Sequence, residues 1–74
     1  MDDRVQQVNF LTQLADDLDS QKTTPADYGG NVNAYATDTV DTWEDQARAD
    51  GVMPEWYDQT DRQFLIRQIE SHYA

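Results

Sequence analysis

The order of apolar and polar residues predicts three amphipathic helices, the first of which spans about residue 3 to residue 20. Apolar residues recur there at intervals of three and four and fall on one side of a helical wheel. They are Val8, Leu11, Leu14, Ala15 and Leu18. The opposite side is polar and consists of Asp2, Gln6, Asn9, Gln13 and Asp16. This segment is therefore expected to be a helix with one buried face.

Residues 21–31 interrupt this pattern and are predicted to connect the first two helices. A proline after Thr24 ends a helix, and the glycine pair beginning at Gly29 permits backbone angles that other residues avoid. Thr24, the proline and the acid at Asp27 together favour one short helical turn. A small hairpin around residues 28–32 is the alternative for part of this segment.

A second helix is predicted to begin after Asn31, a good capping residue, and to end before Gly51. Glycine is the residue type preferred just past the carboxyl end of a helix. The apolar face comprises Val32, Ala36, Val40, Trp43 and Ala47, flanked by Tyr35 and Thr39. Because Trp43 lies near the centre of this face, we expect its ring to be part of the core.

Residues 53–58 form a proline-containing connection rich in aromatics, and residues 60–63 match a reciprocal capping box that would open a third helix. The apolar side of this helix carries Leu65, Ile66, Ile69 and Tyr73. Three apolar stripes with short connections predict an all-α fold, a small antiparallel bundle of three principal helices. A chain of 74 residues has room for one core, so we expect a single domain, 1–74.

Composition adds a strong charge imbalance to this picture. The formal net charge is −10, and twelve of the fifteen acidic residues are aspartate, whereas Lys22 is the only lysine. Direct binding to nucleic acid or anionic lipid is disfavoured, because such binding relies on Lys and Arg. Basic protein surfaces, or cations, are the expected partners. Eight aromatic residues and regularly spaced aliphatic residues argue against disorder.

The sequence offers little for catalysis or for a cofactor. It contains one histidine, His72, and no cysteine, so a disulfide framework and a thiolate zinc site are excluded. We interpret His72 as an exposed or half-packed structural residue. No segment matches a calcium-binding loop, and we predict no catalytic, metal or cofactor site. Without an apolar span or a signal segment, the protein is expected in the cytoplasm, or in the host cytoplasm if it is viral.

Two groups of acids are candidate binding residues. On the polar face of the second helix, Asp38, Asp41 and Asp45 lie three and four residues apart, and Glu44 widens this ridge, with Arg48 as a compensating charge. The second group, at the carboxyl end of the first helix, is Asp16, Asp17 and Asp19. Acids there conflict with the helix macrodipole, which suggests selection for an anionic surface, although adaptation to concentrated salt would produce the same pattern.

A third candidate lies in the connection before the last helix, where Trp56 and Tyr57 are flanked by Glu55 and Asp58. The structural interpretation, which we favour, is that one ring covers the end of the bundle. The functional interpretation is an aromatic anchor with an acidic rim, a composition suited to an arginine-rich protein surface.

The segment from Trp43 to Arg67 also resembles a known family. It contains, in order, acids, Gly51, Pro54-Glu55, Tyr57, Asp58 and Arg62. In this respect it is similar to the carboxyl-terminal part of ArdA-type antirestriction proteins of plasmids and phages. The resemblance covers about a third of the chain. Those proteins are acidic mimics of duplex DNA that occupy the DNA site of restriction enzymes, so the resemblance implies an inhibitor of a DNA-binding defence complex.

Two functional hypotheses follow. The first is a small acidic protein that inhibits or adapts a basic, nucleic-acid-binding complex, as a phage- or plasmid-type antirestriction or anti-CRISPR protein would. The alternative is a small structural or assembly protein of a halophilic archaeon or its virus, acidic for solubility in high salt and able to form homo-oligomers. Aspartate in place of glutamate and the scarcity of lysine are compatible with this alternative.

Overall fold

A computed structural model describes residues 3–19 and 24–73. Within these ranges the chain forms helix α1 (Asp3–Asp19), a short 3-10 helix (Pro25–Tyr28), helix α2 (Val32–Asp50) and helix α3 (Gln59–Ser71). The described residues contain no strand. The predicted all-α bundle of three principal helices is therefore confirmed. The hairpin alternative is wrong, because residues 28–32 join the 3-10 helix to the first residue of α2.

The ends of α2 follow the local sequence. Asn31 precedes the helix, and its side-chain oxygen accepts a hydrogen bond from the backbone N–H of Ala34 at 3.0 Å. At the other end, Gly51 adopts the left-handed conformation with φ 70° and donates its N–H to the carbonyl of Arg48 at 3.2 Å. Both predicted boundaries are confirmed. They could be predicted from the sequence because each depends on contacts within a few residues.

The short turn before α2 is also confirmed. Thr24 donates its backbone N–H to the carboxylate of Asp27 at 2.9 Å, and Asp27 donates its own N–H to the carbonyl of Thr24 at 3.0 Å. Proline occupies the first turn of the 3-10 helix, where a missing N–H costs nothing.

The start of α3 differs from the prediction by one residue, and its capping box lies two residues earlier. Asp58 caps the helix: its carboxylate accepts from the N–H of Asp61 at 3.1 Å, and Asp61 accepts from the N–H of Asp58 at 3.2 Å. The prediction that Thr60 opens the helix is wrong because aspartate caps at least as well as threonine and because Asp61 lies at the reciprocal position.

The helices share one hydrophobic core, and α3 packs against both α1 and α2. The buried members of this core are Ala15, Leu18, Tyr35, Ala36, Val40, Leu65 and Ile69. Tyr35, expected only to flank the apolar face of α2, is completely buried. Trp43 is half-buried at the edge of this cluster, where a central position was expected. The orientation of α2 therefore places Tyr35, rather than Trp43, at the centre of the core.

The residues after α3 also take part in packing. Tyr73 was expected on the apolar side of the third helix, but the helix ends at Ser71. The ring of Tyr73 lies edge-to-face against that of Tyr35, with 5.7 Å between ring centroids.

Among the described helices, none is both long and apolar enough to cross a membrane.

Candidate functional site

The exposed face of α2 carries three carboxylates on successive turns. Asp38 is exposed, and the side chains of Asp41 and Asp45 are 51% and 84% exposed. We call these three residues the acidic ridge. With a rise of about 1.5 Å per residue, the ridge extends about 10 Å along the helix axis.

Glu44 does not belong to this ridge. Its side chain is only 8% exposed and accepts two short hydrogen bonds, one from Arg62 Nη1 at 2.7 Å and one from the Tyr57 hydroxyl at 2.7 Å. The prediction that Glu44 widens the solvent-facing ridge is wrong. A signal was present in the sequence, since Glu44 lies four residues after Val40 and three before Ala47, both of which are buried.

The pair formed by Arg62 and Tyr57 satisfies the buried Glu44 carboxylate. Arg62 also contacts Asp41 at 2.6 Å. The hydrogen bond to Asp41 and the charge of Glu44 raise the pKa of the Arg62 guanidinium, although burial by itself would lower that pKa. Burial and the hydrogen bond to Glu44 raise the pKa of the Tyr57 hydroxyl, which therefore remains a donor. One member of the acidic ridge is thus partly neutralised by α3.

A second buried carboxylate lies at the start of α3. Asp61 is 2% exposed and accepts from Arg4 Nη1 at 2.7 Å. Within the described residues, the arginine–carboxylate contacts of 3 Å or less involve Asp61, Glu44 or Asp41. The arginine nearest to Asp45, Arg48, is 3.8 Å away. Arg4 and Arg62 are therefore engaged by carboxylates of the bundle, whereas Arg48 and Arg67 are exposed, and with a net charge of −10 the negative charge of the surface remains in excess.

The acids at the end of α1 fall into two environments. Asp19 is 17% exposed and accepts hydrogen bonds from the Tyr73 hydroxyl at 2.6 Å, from the Tyr35 hydroxyl at 3.0 Å and from His72 Nδ1 at 2.8 Å. The prediction of Asp19 as a surface acid is wrong, because the residues after α3 fold back over it. Asp16 and Asp17 are exposed, as expected.

These contacts also change the ionisation of the residues involved. Burial alone would raise the pKa of Asp19, but the hydrogen bonds from Tyr73, His72 and Tyr35 outweigh it, and the pKa is lowered. The second ring nitrogen of His72 lies 3.1 Å from Asp16. The imidazole, whose side chain is 26% exposed, thus bridges two carboxylates near the end of α1 and is half-packed, as interpreted from the sequence.

The aromatic connection packs on both sides. The ring of Trp56 lies edge-to-face against Phe10 of α1 at 5.6 Å, and the ring of Tyr57 lies against Trp43 of α2 at 5.2 Å. Both residues of the connection are half-buried, in agreement with the structural interpretation. Its two acids, Glu55 and Asp58, are exposed, and Asp58 also caps α3.

Beside the acidic ridge lies an open groove of about 410 Å³, which the sequence did not reveal. Its lining includes Leu18, Tyr28, Asp38, Thr42, Trp43 and Gln46. We call it the aromatic groove. The Tyr28 hydroxyl donates a short hydrogen bond to Asp38 Oδ2, and this bond, aided by burial, raises the pKa of the tyrosine. The spacing of residues 38, 42 and 46 places them on one side of α2 and was the only sign of the groove in the sequence. The opposite wall comes from α1 and the 3-10 helix, so the sequence alone could not show that a groove forms.

Within the described ranges, no group of three or more His, Cys, Asp or Glu side chains is arranged to hold a metal ion. No protein-family model, curated protein or solved structure matches this chain. The acidic ridge, the aromatic groove and their surroundings therefore define the chemistry available for function.

Proposed function

We propose that the protein is a small acidic binding protein that inhibits or adapts a basic, nucleic-acid-binding protein complex. The observation that carries the proposal is the distribution of charge: Arg4 and Arg62 lie against Asp61, Glu44 and Asp41, whereas Asp38 and Asp45 have no arginine within 3 Å among the described residues. A surface of this kind attracts a basic groove, sets the orientation of approach and increases the association rate.

Geometry supports a ridge that replaces a nucleic-acid backbone. Asp38, Asp41 and Asp45 lie along one side of a helix, about 5 Å apart on average along its axis. A strand of duplex DNA carries one phosphate per about 3.4 Å of axis, so the ridge offers a somewhat sparser line of negative charge. The resemblance of residues 43–67 to ArdA-type proteins points to the same class of target, a DNA-binding defence complex.

Displacement of DNA tests this proposal directly. The protein would be titrated into a restriction enzyme, and in parallel into a CRISPR effector complex, each bound to a labelled DNA duplex. We expect DNA to be displaced competitively from at least one of them, with weaker displacement as salt rises from about 0.05 to 0.5 M, because ions screen exposed charges. Absence of displacement from both at the lower salt would contradict the proposal.

A matched pair of triple variants tests the ridge itself. Asp38→Asn, Asp41→Asn and Asp45→Asn combined should weaken displacement more than tenfold, equivalent to about 1.4 kcal/mol or more. The control, with the same loss of charge, combines Asp3→Asn, Asp27→Asn and Asp50→Asn. Its effect should be about threefold or less, since only the general attraction is reduced. Equal losses in the two variants would show that net charge, and not the ridge, determines binding.

A second candidate function is a structural or assembly protein adapted to high salt. It is favoured by one observation, the composition, in which aspartate greatly exceeds glutamate and lysine occurs once. This candidate predicts that the free chain needs molar salt to fold, because uncompensated acids repel one another at low salt.

A further inference from the structure

We propose that the aromatic groove receives an arginine side chain of the basic partner. The inference rests on the proposed function for the existence of that partner, and it adds the residue type that is recognised and the place where it binds. The volume of the aromatic groove, about 410 Å³, lies within the range of ligand-sized sites. An arginine side chain and some of its flanking backbone would fit such a space.

The apolar part of the groove matches the body of an arginine side chain. Trp43 is half-buried and presents part of its ring to the groove, next to Leu18 and Tyr28. An indole face attracts a cation more strongly than the other aromatic rings do, and guanidinium stacks on it because both are planar. The aliphatic stem of the arginine can cover Leu18 while its charged end stays near water.

The polar rim of the groove offers several acceptors, because three of its donors are used within the protein. The Tyr28 hydroxyl donates to Asp38 Oδ2, and the Thr42 hydroxyl donates to the Asp38 carbonyl at 2.9 Å. The Gln46 amide donates to Asp50 Oδ2 at 3.0 Å. Asp38 Oδ1, the Thr42 oxygen and Gln46 Oε1 can therefore accept from a ligand.

This chemistry selects arginine over other occupants. A guanidinium carries five N–H donors and no acceptor, which complements a rim of acceptors beside a carboxylate. Lysine has three donors on a strongly hydrated ammonium and gains less from an aromatic face. A second copy of this chain is disfavoured by the repulsion between two molecules of net charge −10 each.

The length of the groove also suits an arginine within a peptide segment. Asp38 and Gln46 are two turns apart, which corresponds to about 12 Å along α2. That distance exceeds the reach of one guanidinium, so backbone N–H groups flanking the arginine would lie near the Gln46 end. The adjacent acidic ridge would then face further basic residues of the same segment.

Tryptophan fluorescence can follow occupation of the groove. In a Trp56→Phe background, Trp43 is the only tryptophan, and the exchange keeps an aromatic ring against Phe10. Hexa-arginine and hexa-lysine peptides would be titrated at about 0.05 M salt, where surface attraction is strong. We expect hexa-arginine to change the Trp43 emission and to bind at least fivefold more tightly than hexa-lysine.

Two isosteric variants locate the binding site. Asp38→Asn should weaken hexa-arginine binding at least tenfold and reduce the preference over hexa-lysine, whereas Asp45→Asn, with the same change of charge on the same helix, should weaken it about twofold. Asparagine retains an oxygen that can accept from Tyr28, and circular dichroism would verify that each variant is folded.

The outcomes separate the groove from the general acidic surface. Equal binding of the two peptides, equal effects of the two variants, or an unchanged Trp43 emission would each overturn the arginine site. Failure of both peptides to bind would overturn it as well. The proposed function is judged independently by displacement of DNA, which could still succeed through the acidic ridge alone.

Discussion

At the scale of single residues, Asp19 shows how a local conflict becomes a tertiary contact. An acid in the last turn of a helix faces the negative end of the macrodipole, which costs about 0.3 to 1 kcal/mol. Here the carboxylate accepts three hydrogen bonds, from Tyr35, Tyr73 and His72. Hydrogen bonds to a charged group can each contribute more than that cost, so Asp19 ties the end of α1 to α2 and to the residues after α3.

Asp19→Asn should therefore destabilise the protein at pH 7, by about 1 to 2 kcal/mol after allowance for partial exposure. The folded pKa of Asp19 is lowered from its ordinary value of 3.8. Its stabilising contribution is thus present above pH 3.8 and is lost as the pH falls through the lower, folded value. Thermal melts of both proteins between pH 7 and pH 3 should show the difference shrinking below about pH 4.

Asp50→Asn is the control for this prediction. Asp50 occupies the corresponding position in the last turn of α2 and bonds only to Gln46 among the described side chains. Removing its charge relieves the macrodipole conflict, so the melting temperature should stay equal or rise slightly. A comparable loss of stability in both variants would show that the three hydrogen bonds of Asp19 contribute little.

At the scale of secondary-structure elements, α2 has a buried face and an exposed face, and a helical wheel assigns only some of its acidic residues to the correct one. Val40, Glu44 and Ala47 lie on one buried stripe, and Glu44 joins α2 to α3 through Arg62. Asp45, the next residue, is 84% exposed. Neighbouring acids on one helix thus have opposite roles: one holds the bundle together and the other belongs to the exposed ridge.

Glu44→Ala and Asp45→Ala make this contrast measurable. The first change leaves the Tyr57 hydroxyl and the Arg62 guanidinium without their shared acceptor, and we expect a loss of about 2 to 3 kcal/mol. The second removes an exposed acid and introduces a better helix former, so stability should change by about 0.5 kcal/mol or less. Urea unfolding gives both values, and equal effects would argue against the buried role of Glu44.

At the scale of the whole molecule, a net charge of −10 acts on a small fold. A domain of this size buries a limited fraction of its surface, so repulsion among surface acids is a considerable part of its stability balance. Ion pairs to the buried carboxylates of Asp61 and Glu44 connect α1 to α3 and α2 to α3. These contacts act within the bundle, where salt screens them less than it screens the exposed ridge.

The salt response of the free chain distinguishes the two candidate functions. For a binding protein of ordinary cytoplasm, we expect a cooperative melt at about 0.05 M salt and a modest rise in melting temperature as salt screens repulsion. Circular dichroism between about 0.05 and 2 M salt would test this. A chain that gains helical structure only near molar salt would contradict the inhibitor hypothesis and favour the halophilic assembly protein.

The sequence by itself determined the features that depend on near neighbours. The helix periods, the Asn31 cap, the Gly51 terminus and the turn at Thr24 each follow from residues within one or two turns, and all four occur as predicted. The start of α3 was misplaced because two overlapping segments, residues 58–61 and residues 60–63, both satisfy a capping box.

Only the tertiary structure decided which acids are buried and which remain on the surface. A helical wheel gives the direction of a side chain but not what another helix places there, so the arginine facing Glu44 and the tyrosines facing Asp19 could not be inferred. The aromatic groove depends on the same information, since its walls come from elements that are distant in sequence. Local propensity is settled within a few residues, whereas burial and charge pairing depend on how the helices pack.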